Sequence, residues 1–168
     1  MIRQRLGKDL LFFDGGMGTL LQEKGLAPGE LPETWNLTHS EEIYKIHRQY
    51  IEAGSDIILT NTFGANALKF HDDSCSLEEI IKAAVSHVKK AEREALLQTG
   101  DERKIYTALD VGPTGKLLKP MGDLEFETAY EAFKEVVILG EQAGADLIHI
   151  ETMSDTYELK AAVLAAKE

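Results

Sequence analysis

Four polar residues stand where apolar runs of the sequence end, and they are the first candidates for chemistry. They are Asp14, Asn61, Asp110 and Glu151. Each follows a short apolar run typical of a buried parallel strand, so its side chain points either into a site or into solvent. We therefore expect a site for a polar ligand where these strands end.

The glycine turn after Asp14 adds a second kind of chemistry. Gly15, Gly16 and Gly18 let the backbone turn sharply and present N–H groups that no Cβ obstructs. The turn predicts a cradle for an anionic group beside a carboxylate.

The nucleotide-binding templates do not fit the glycines of this chain. The dinucleotide pattern G-x-G-x-x-G needs glycine or alanine at the position of Leu21. A Walker A motif ending at Lys116 would need glycine at Asp110 and serine or threonine at Leu117. The sequence therefore predicts no nucleotide site at either turn.

Strands and helices alternate along the chain. Strands are predicted over residues 10–13, 56–60, 105–109 and 146–150. Helices are predicted over residues 17–24, between Thr38 and Gly54, between Ser76 and Gly100, over residues 124–142, and from Asp155 onward. Thr38 with Glu41, and Ser76 with Glu79, match the capping box. Residues 29–36 form a loop long enough to fold over a site.

This alternation predicts an α/β fold with one parallel sheet and right-handed crossovers. The four polar residues then meet at the carboxyl edge of the sheet. Successive strand ends lie about 45 residues apart, so a barrel of eight βα units would need more than about 300 residues. We expect a (β/α)8 TIM-barrel type of fold of which residues 1–168 form the first half, a single truncated domain of four βα units. A flavodoxin-like sheet also fits the length but normally carries a phosphate or cofactor motif, which is not found here.

Composition narrows the class of protein. The net charge of -11 disfavours nucleic acid and anionic membrane surfaces as partners, since both need a basic surface. No apolar stretch reaches the length of a membrane span and no signal peptide is evident, so a cytoplasmic location is expected. One cysteine, Cys75, excludes an internal disulfide framework.

Five motifs together resemble the homocysteine S-methyltransferase domain, most closely the N-terminal barrel of the cobalamin-dependent methionine synthases. The motifs are Asp14-Gly15-Gly16-Met17-Gly18-Thr19, His47-Arg48 ahead of Ala53-Gly54-Ser55-Asp56, Thr60-Asn61-Thr62-Phe63, Gly112-Pro113-Thr114-Gly115 and Ile150-Glu151-Thr152. They occur in order and extend over nearly the whole chain. The resemblance implies an enzyme that transfers a methyl group to the sulfur of homocysteine, giving methionine.

The resemblance also implies roles for individual residues. Asp14 and Glu151 are expected to bind the α-ammonium of homocysteine, and the amides of Gly15 and Gly16 its α-carboxylate. Asn61 and Thr62 are expected to line the substrate site.

The same resemblance implies two cofactors that this chain does not hold alone. The family's zinc ion is bound by three cysteine thiolates from the second half of the barrel, and Cys75 matches none of them. We therefore expect no metal ligand in this chain, and no activity without the other half of the barrel. Methylcobalamin is the expected methyl donor, with cobalamin- and folate-binding modules and the remaining half-barrel as partners in a longer protein.

Alternative functions remain open at this stage. The chain could be a non-catalytic half-barrel whose property is folding or self-association, because half of a barrel leaves apolar strand faces and edges uncovered. It could also be another parallel α/β enzyme with a phosphorylated substrate, although only Lys116 lies near a glycine turn.

Some candidate residues also have structural explanations. Asp14 could cap the next helix and Glu151 could be a solvated strand end. Asp110 is expected to bond the loop amides near Gly112 and Thr114. His47 is expected to be a packed core histidine, and His149 to face the barrel interior. His71, Asp72, Asp73 and Cys75 match no metal-ligand template.

Overall fold

A computed structural model describes residues 2–70, 75–100 and 102–168 of the chain. Over these residues it contains six α-helices, two short 3-10 helices and a three-stranded sheet. The helices are α1 (Met17–Glu23), α2 (Trp35–Thr38), α3 (Ser40–Glu52), α4 (Leu77–Thr99), α5 (Phe126–Ala143) and α6 (Thr156–Ala165). The strands are β1 (Ile57–Leu59), β2 (Tyr106–Val111) and β3 (Leu147–Ile150), and the 3-10 helices are Ile2–Gln4 and Pro32–Thr34.

The strands form a parallel sheet in the order of the sequence, β1-β2-β3. Ile57 pairs with Tyr106, and Ala108 pairs with Leu147. Helix α4 lies between β1 and β2, α5 lies between β2 and β3, and α6 follows β3. The predicted βα alternation is therefore confirmed for these three strands. The order of the strands in the sheet does not reverse, and the carboxyl ends of all three strands lie at one edge.

The first predicted strand, residues 10–13, is reduced to an edge segment. It lies parallel to β1 through a single bridge between Phe13 and Ile57. Asp14 N donates to Ile57 O at 3.0 Å, and Ile57 N donates to Phe12 O at 3.0 Å. The prediction that this apolar run is covered on both faces is wrong, because Leu10 is 76% exposed and Phe12 is 55% exposed. Leu10 and Phe12 lie on the same face of the segment, and the described residues do not cover that face.

The helices cover one face of the sheet. Ile58 packs against Tyr44, Ile51 and Val88 of α3 and α4. Further along the sheet, Leu109 packs in a larger cluster with Phe133 of α5 and Ala161 of α6. This face supplies the main core of the domain.

The opposite face of the sheet carries a smaller apolar layer. Ile57, Tyr106 and Ala108 are buried there, and Leu11 and Leu147 pack against them. Ile2 of the first 3-10 helix also contacts this layer. The chain's own N-terminal turn therefore covers part of the face that a barrel would turn inward.

Helix ends show which local signals decided the structure. Ser76 forms the predicted capping box, since Glu79 N donates to Ser76 Oγ at 3.2 Å and Ser76 N donates to Glu79 Oε2 at 2.8 Å. The capping box predicted at Thr38 is wrong. The Thr38 hydroxyl instead donates to Thr34 O at 3.1 Å in the last turn of α2, and α3 begins at Ser40 without a side-chain cap. No helix among the described residues has the length and apolar character needed to cross a membrane.

We expect Gly140→Ala to destabilise the domain, because α5 touches β2 at this glycine. A Cβ there would lie 2.4 Å from Leu109 Cδ2, and Leu109 is fully buried in the main core. Overpacking of this kind costs about 1–3 kcal/mol of unfolding free energy, measurable by urea denaturation.

Gly18→Ala in α1 is the matched control, since its Cβ would meet nothing within 4 Å. It should leave the unfolding free energy unchanged or raise it by up to about 1 kcal/mol, as alanine is the better helix former. Equal stability of Gly140→Ala and the parent chain would contradict the packing described for α5.

Candidate functional site

A cavity of about 570 Å³ opens at the carboxyl edge of the sheet. Its walls come from the first glycine turn, the loop around residue 32, the exits of β1, β2 and β3, and Lys69. The polar side chains among the lining residues are Asp14, Glu33, Thr60, Asn61, Lys69, Asp110 and Glu151. The polar residues predicted at the strand ends are thus brought together in one place.

Asp14 is fixed by the neighbouring strand and not by the helix that follows it. Its Oδ2 accepts from Leu59 N at 3.1 Å, whereas α1 begins after Gly16 without a side-chain cap. Its Oδ1 is buried and has no hydrogen-bond partner among the described residues. Burial raises the pKa of Asp14 to about 7, and the nearby charge of Glu151 adds to the shift. One carboxylate oxygen is therefore left for a ligand.

Gly15 and Gly16 line the cavity beside this carboxylate. A Cβ on Gly15 would lie 2.8 Å from the Tyr50 hydroxyl, so a larger residue would displace the tyrosine. The Tyr50 hydroxyl donates to Gly16 O at 3.2 Å and holds the turn in place. Glycine at 15 is thus required by a close approach from α3.

Asp110 lines the cavity, and it bonds the backbone of Val111 and not the amides near Gly112 and Thr114 that were expected for it. The loop amides have other partners, because Gly112 N donates to Phe63 O and Thr114 N donates to Glu158 Oε1. Asp110 is only 7% exposed, and its Oδ1 has no partner in the described part of the chain. Burial raises its pKa to about 8, helped by the charges of Glu151, Asp14 and Glu33.

Glu151 follows β3 and is only half-buried, with its side chain on the cavity wall. His149, two residues earlier on the same strand face, has Nε2 3.9 Å from Glu151 Oε2 and its ring centroid 5.0 Å from that of Phe13. The next residue, Thr152, has φ of 55°, a left-handed conformation that is uncommon for a β-branched side chain. Such backbone strain concentrates at functional sites.

The structure places Asn61 and Thr62 differently from each other. Asn61 lines the cavity, but its Nδ2 donates to Pro32 O at 2.8 Å, so the amide also ties the loop to β1. Thr62 is not among the lining residues. Its hydroxyl is buried, donates to Asp110 O at 2.8 Å and lies 2.7 Å from Thr60 Oγ1. Thr62 therefore supports the strand carrying Asp110.

Glu33 and Lys69 were missed by the sequence analysis. Both lie in connecting segments without periodic pattern, and the only available signal was that residues 29–36 could fold over a site. Glu33 is 3% exposed and its Oε1 accepts from Gly64 N at 2.5 Å. Lys69 Nζ lies 5.4 Å from the centroid of the Phe63 ring. They add one anion and one cation to the cavity wall.

His47 is the packed core histidine that the sequence predicts. It is fully buried, neither ring nitrogen has a partner among the described residues, and burial lowers its pKa to about 3. His71, Asp72 and Asp73 lie outside the described residues. Within residues 2–70, 75–100 and 102–168, no group of three or more His, Cys, Asp or Glu side chains is arranged to hold a metal ion.

The charges of the cavity suit a small zwitterion. Four carboxyl groups, those of Asp14, Glu33, Asp110 and Glu151, can receive an ammonium group. The amides of the glycine turn and the Lys69 ammonium can receive a carboxylate. The volume far exceeds that of a single water molecule, about 30 Å³, and leaves room for a molecule of amino-acid size.

Comparison with known proteins also points to an enzyme family that acts on an amino acid. The chain matches the family model described as homocysteine S-methyltransferase over residues 11–168. It is 32% identical to a methionine synthase of Mycobacterium leprae over 170 residues, which cover 98% of this chain and 14% of that protein. It is 33% identical to a methionine synthase of Mycobacterium tuberculosis over 96% of this chain and 14% of that protein. This chain thus spans about one seventh of the length of these two relatives.

Solved structures share the fold. The homocysteine methyltransferase MmuM from Escherichia coli, in its oxidized form, superposes with a TM-score of 0.83 at 23% identity. The match covers 98% of this chain and 60% of that one. The metallated form of the same protein gives a TM-score of 0.83 at 22% identity, over 98% and 61% of the two chains.

We expect the stability of the domain to depend on pH through Asp110. The unfolded carboxyl has a pKa near 3.8, and the folded one near 8, so the folded state holds a proton that the unfolded state releases. This contribution to stability is complete below about pH 4 and is lost as the pH rises through about 8. Asp110→Asn should therefore equal the parent near pH 4 and exceed its unfolding free energy by at least about 1 kcal/mol at pH 8.

Asp146→Asn is the control of opposite sign. Burial opposes ionisation of Asp146, but hydrogen bonds from Lys89 Nζ and Thr107 N outweigh it and lower the pKa. Its contribution is therefore present at high pH, and the variant should be less stable than the parent at pH 8. Urea titrations between pH 4 and pH 8 measure both, and an Asp110→Asn variant with the parent's pH dependence would refute the assignment.

Proposed function

This chain belongs to the homocysteine S-methyltransferase family, and on that basis we propose that its cavity binds the amino-acid part of homocysteine. In this proposal Asp14 and Glu151 bind the α-ammonium group. The amides of Gly15 and Gly16 bind the α-carboxylate, and Asn61 lines the same wall. The enzyme of which this site is part transfers a methyl group to the homocysteine sulfur and releases methionine.

The observation that carries the proposal is the Asp14 carboxylate beside the glycine turn. It offers a buried Oδ1 without a partner in the described residues, next to the exposed glycines Gly15 and Gly16 on the cavity wall. An α-ammonium and an α-carboxylate are separated by one carbon atom, so adjacent anionic and N–H groups match their spacing. Glu151 supplies a second carboxylate on the same wall.

The described residues of this chain do not fit a zinc ion. Cys75 is the single cysteine of the sequence and packs partly buried against the main core, away from the cavity lining. We therefore propose that the thiolate that accepts the methyl group is activated by groups outside this chain. We propose zinc held by another part of the barrel, and methylcobalamin as donor, following the methionine synthase relatives.

We further propose that the chain is part of a (β/α)8 barrel in a longer protein. Its strands follow one another in sequence order, as barrel strands do. In a doubly wound sheet, by contrast, the order of the strands reverses at a switch point. The chain corresponds to 60% of the MmuM structure and to 14% of the methionine synthases. The other barrel strands, and modules for cobalamin and folate, are its proposed partners.

Binding of L-homocysteine to this chain, followed by calorimetry or by NMR, tests the function. Asp14→Asn and Glu151→Gln should each weaken binding, because each removes a charged acceptor worth about 1–3 kcal/mol. Glu141→Gln, at an exposed position of α5, should bind as the parent does. Parent-like affinity in both cavity variants would remove these two carboxylates from the site.

We infer self-association as a second candidate property, because the edge segment exposes apolar side chains. Leu10 and Phe12 lie beside an unpaired edge of the described sheet, where a second chain could pair. We expect the sedimentation coefficient to rise with concentration in the micromolar range. Leu10→Lys, which places a charge on this edge, should reduce the rise, and a parent chain that sediments as a monomer throughout would exclude this property.

A further inference from the structure

We propose that Glu33 is a further substrate-binding residue, whose carboxylate contacts the ammonium of the amino-acid substrate together with Asp14 and Glu151. The inference rests on the proposed function and adds a residue to it that no sequence motif marks. It starts from an unpartnered buried oxygen on the cavity wall.

The Glu33 carboxylate is held firmly by one oxygen and is free at the other. Oε1 accepts from Gly64 N at 2.5 Å, and this hydrogen bond fixes the orientation of the carboxylate. Oε2 is buried and has no partner in the described part of the chain, although the residue is only 3% exposed. A buried carboxylate oxygen left without a donor costs stability, and a bound cation removes that cost.

The loop that carries Glu33 is fixed to the exit of β1. Asn36 Nδ2 donates to Asn61 O at 2.8 Å, and Asn61 Nδ2 donates to Pro32 O at 2.8 Å. Gly64 permits the close approach, since a Cβ at this position would lie 2.8 Å from Glu33 Oε1. The carboxylate is therefore positioned by the fold before any ligand binds.

An ammonium group needs three acceptors, and the proposed function supplies two. An α-ammonium carries three N–H donors, like the ammonium of lysine. Asp14 and Glu151 accept two of them, and Glu33 Oε2 is an acceptor for the third. Lys69 Nζ lies near this carboxylate, since both would contact a Cβ on Gly64, but it packs over the Phe63 ring and Glu33 Oε2 has no hydrogen-bond partner among the described residues.

The test uses Glu33→Gln and two thiol ligands that differ only in the ammonium. Glutamine keeps an oxygen for Gly64 N and removes the charge. L-homocysteine carries the α-ammonium, and 4-mercaptobutanoate is the same molecule without it. We expect the variant to bind L-homocysteine at least about tenfold more weakly and 4-mercaptobutanoate within about twofold of the parent, measured by NMR titration.

Two further variants separate binding from folding. Gly64→Ala places a methyl group against Glu33 Oε1 and should cause the same selective loss by displacing the carboxylate. Glu158→Gln is the control, since Glu158 is also 3% exposed but bonds Thr114 N and Oγ1 away from the cavity lining. It should keep the parent's ratio of the two affinities, and near-ultraviolet circular dichroism verifies that each variant is folded.

The remaining outcomes overturn the inference in distinguishable ways. An equal loss of affinity for both ligands in Glu33→Gln would mean that Glu33 only shapes the cavity wall. Unchanged affinities would mean that its carboxylate does not face the ligand. A parent chain that binds the two ligands equally well would overturn the proposed function itself, because the ammonium would then not be recognised.

Discussion

A cluster of acidic side chains, several of them buried, at one edge of the sheet is the constraint on which the rest of this structure depends. Asp14, Glu33, Asp110 and Glu151 line one cavity, and burial is the main reason why the pKa values of Asp14 and Asp110 are raised. Water would solvate these carboxyl groups if the strands could separate. The helix-covered face of the sheet prevents separation, because Ile58 and Leu109 fix β1 and β2 to the helices behind them.

Part of the site follows directly from the chain's periodicity. Asp14 and Glu151 were predictable because each ends an apolar run, and parallel strands bring their carboxyl ends together. The capping box at Ser76 was predictable because it depends on residues three positions apart. These patterns depend on residues close together in the sequence, so contacts between distant segments do not alter the structures they predict. The glycine turn belongs to the same class, although the contact with Tyr50 that requires Gly15 is visible only in three dimensions.

The rest of the site depends on contacts between distant segments, which no local pattern records. Thr38 has the sequence of a helix cap, yet its hydroxyl bonds Thr34 in the preceding turn. Asp110 was expected to bond the amides near Gly112 and Thr114, but Glu158 of α6 takes that role at Thr114. Glu33 meets Gly64 across 31 positions of sequence. The edge segment has a strand's composition, but it pairs with β1 through a single bridge and leaves Leu10 and Phe12 exposed.

The contact between Glu33 and Gly64 has a consequence for how the sequence can vary over evolutionary time. Any side chain at position 64 would collide with the Glu33 carboxylate. The carboxylate would then move away from the backbone N–H of residue 64 and lose its hydrogen bond. Neither position can change freely while the other keeps its present residue. The two should therefore be inherited as a pair, so that lineages which lose the acid at 33 become free to place larger residues at 64.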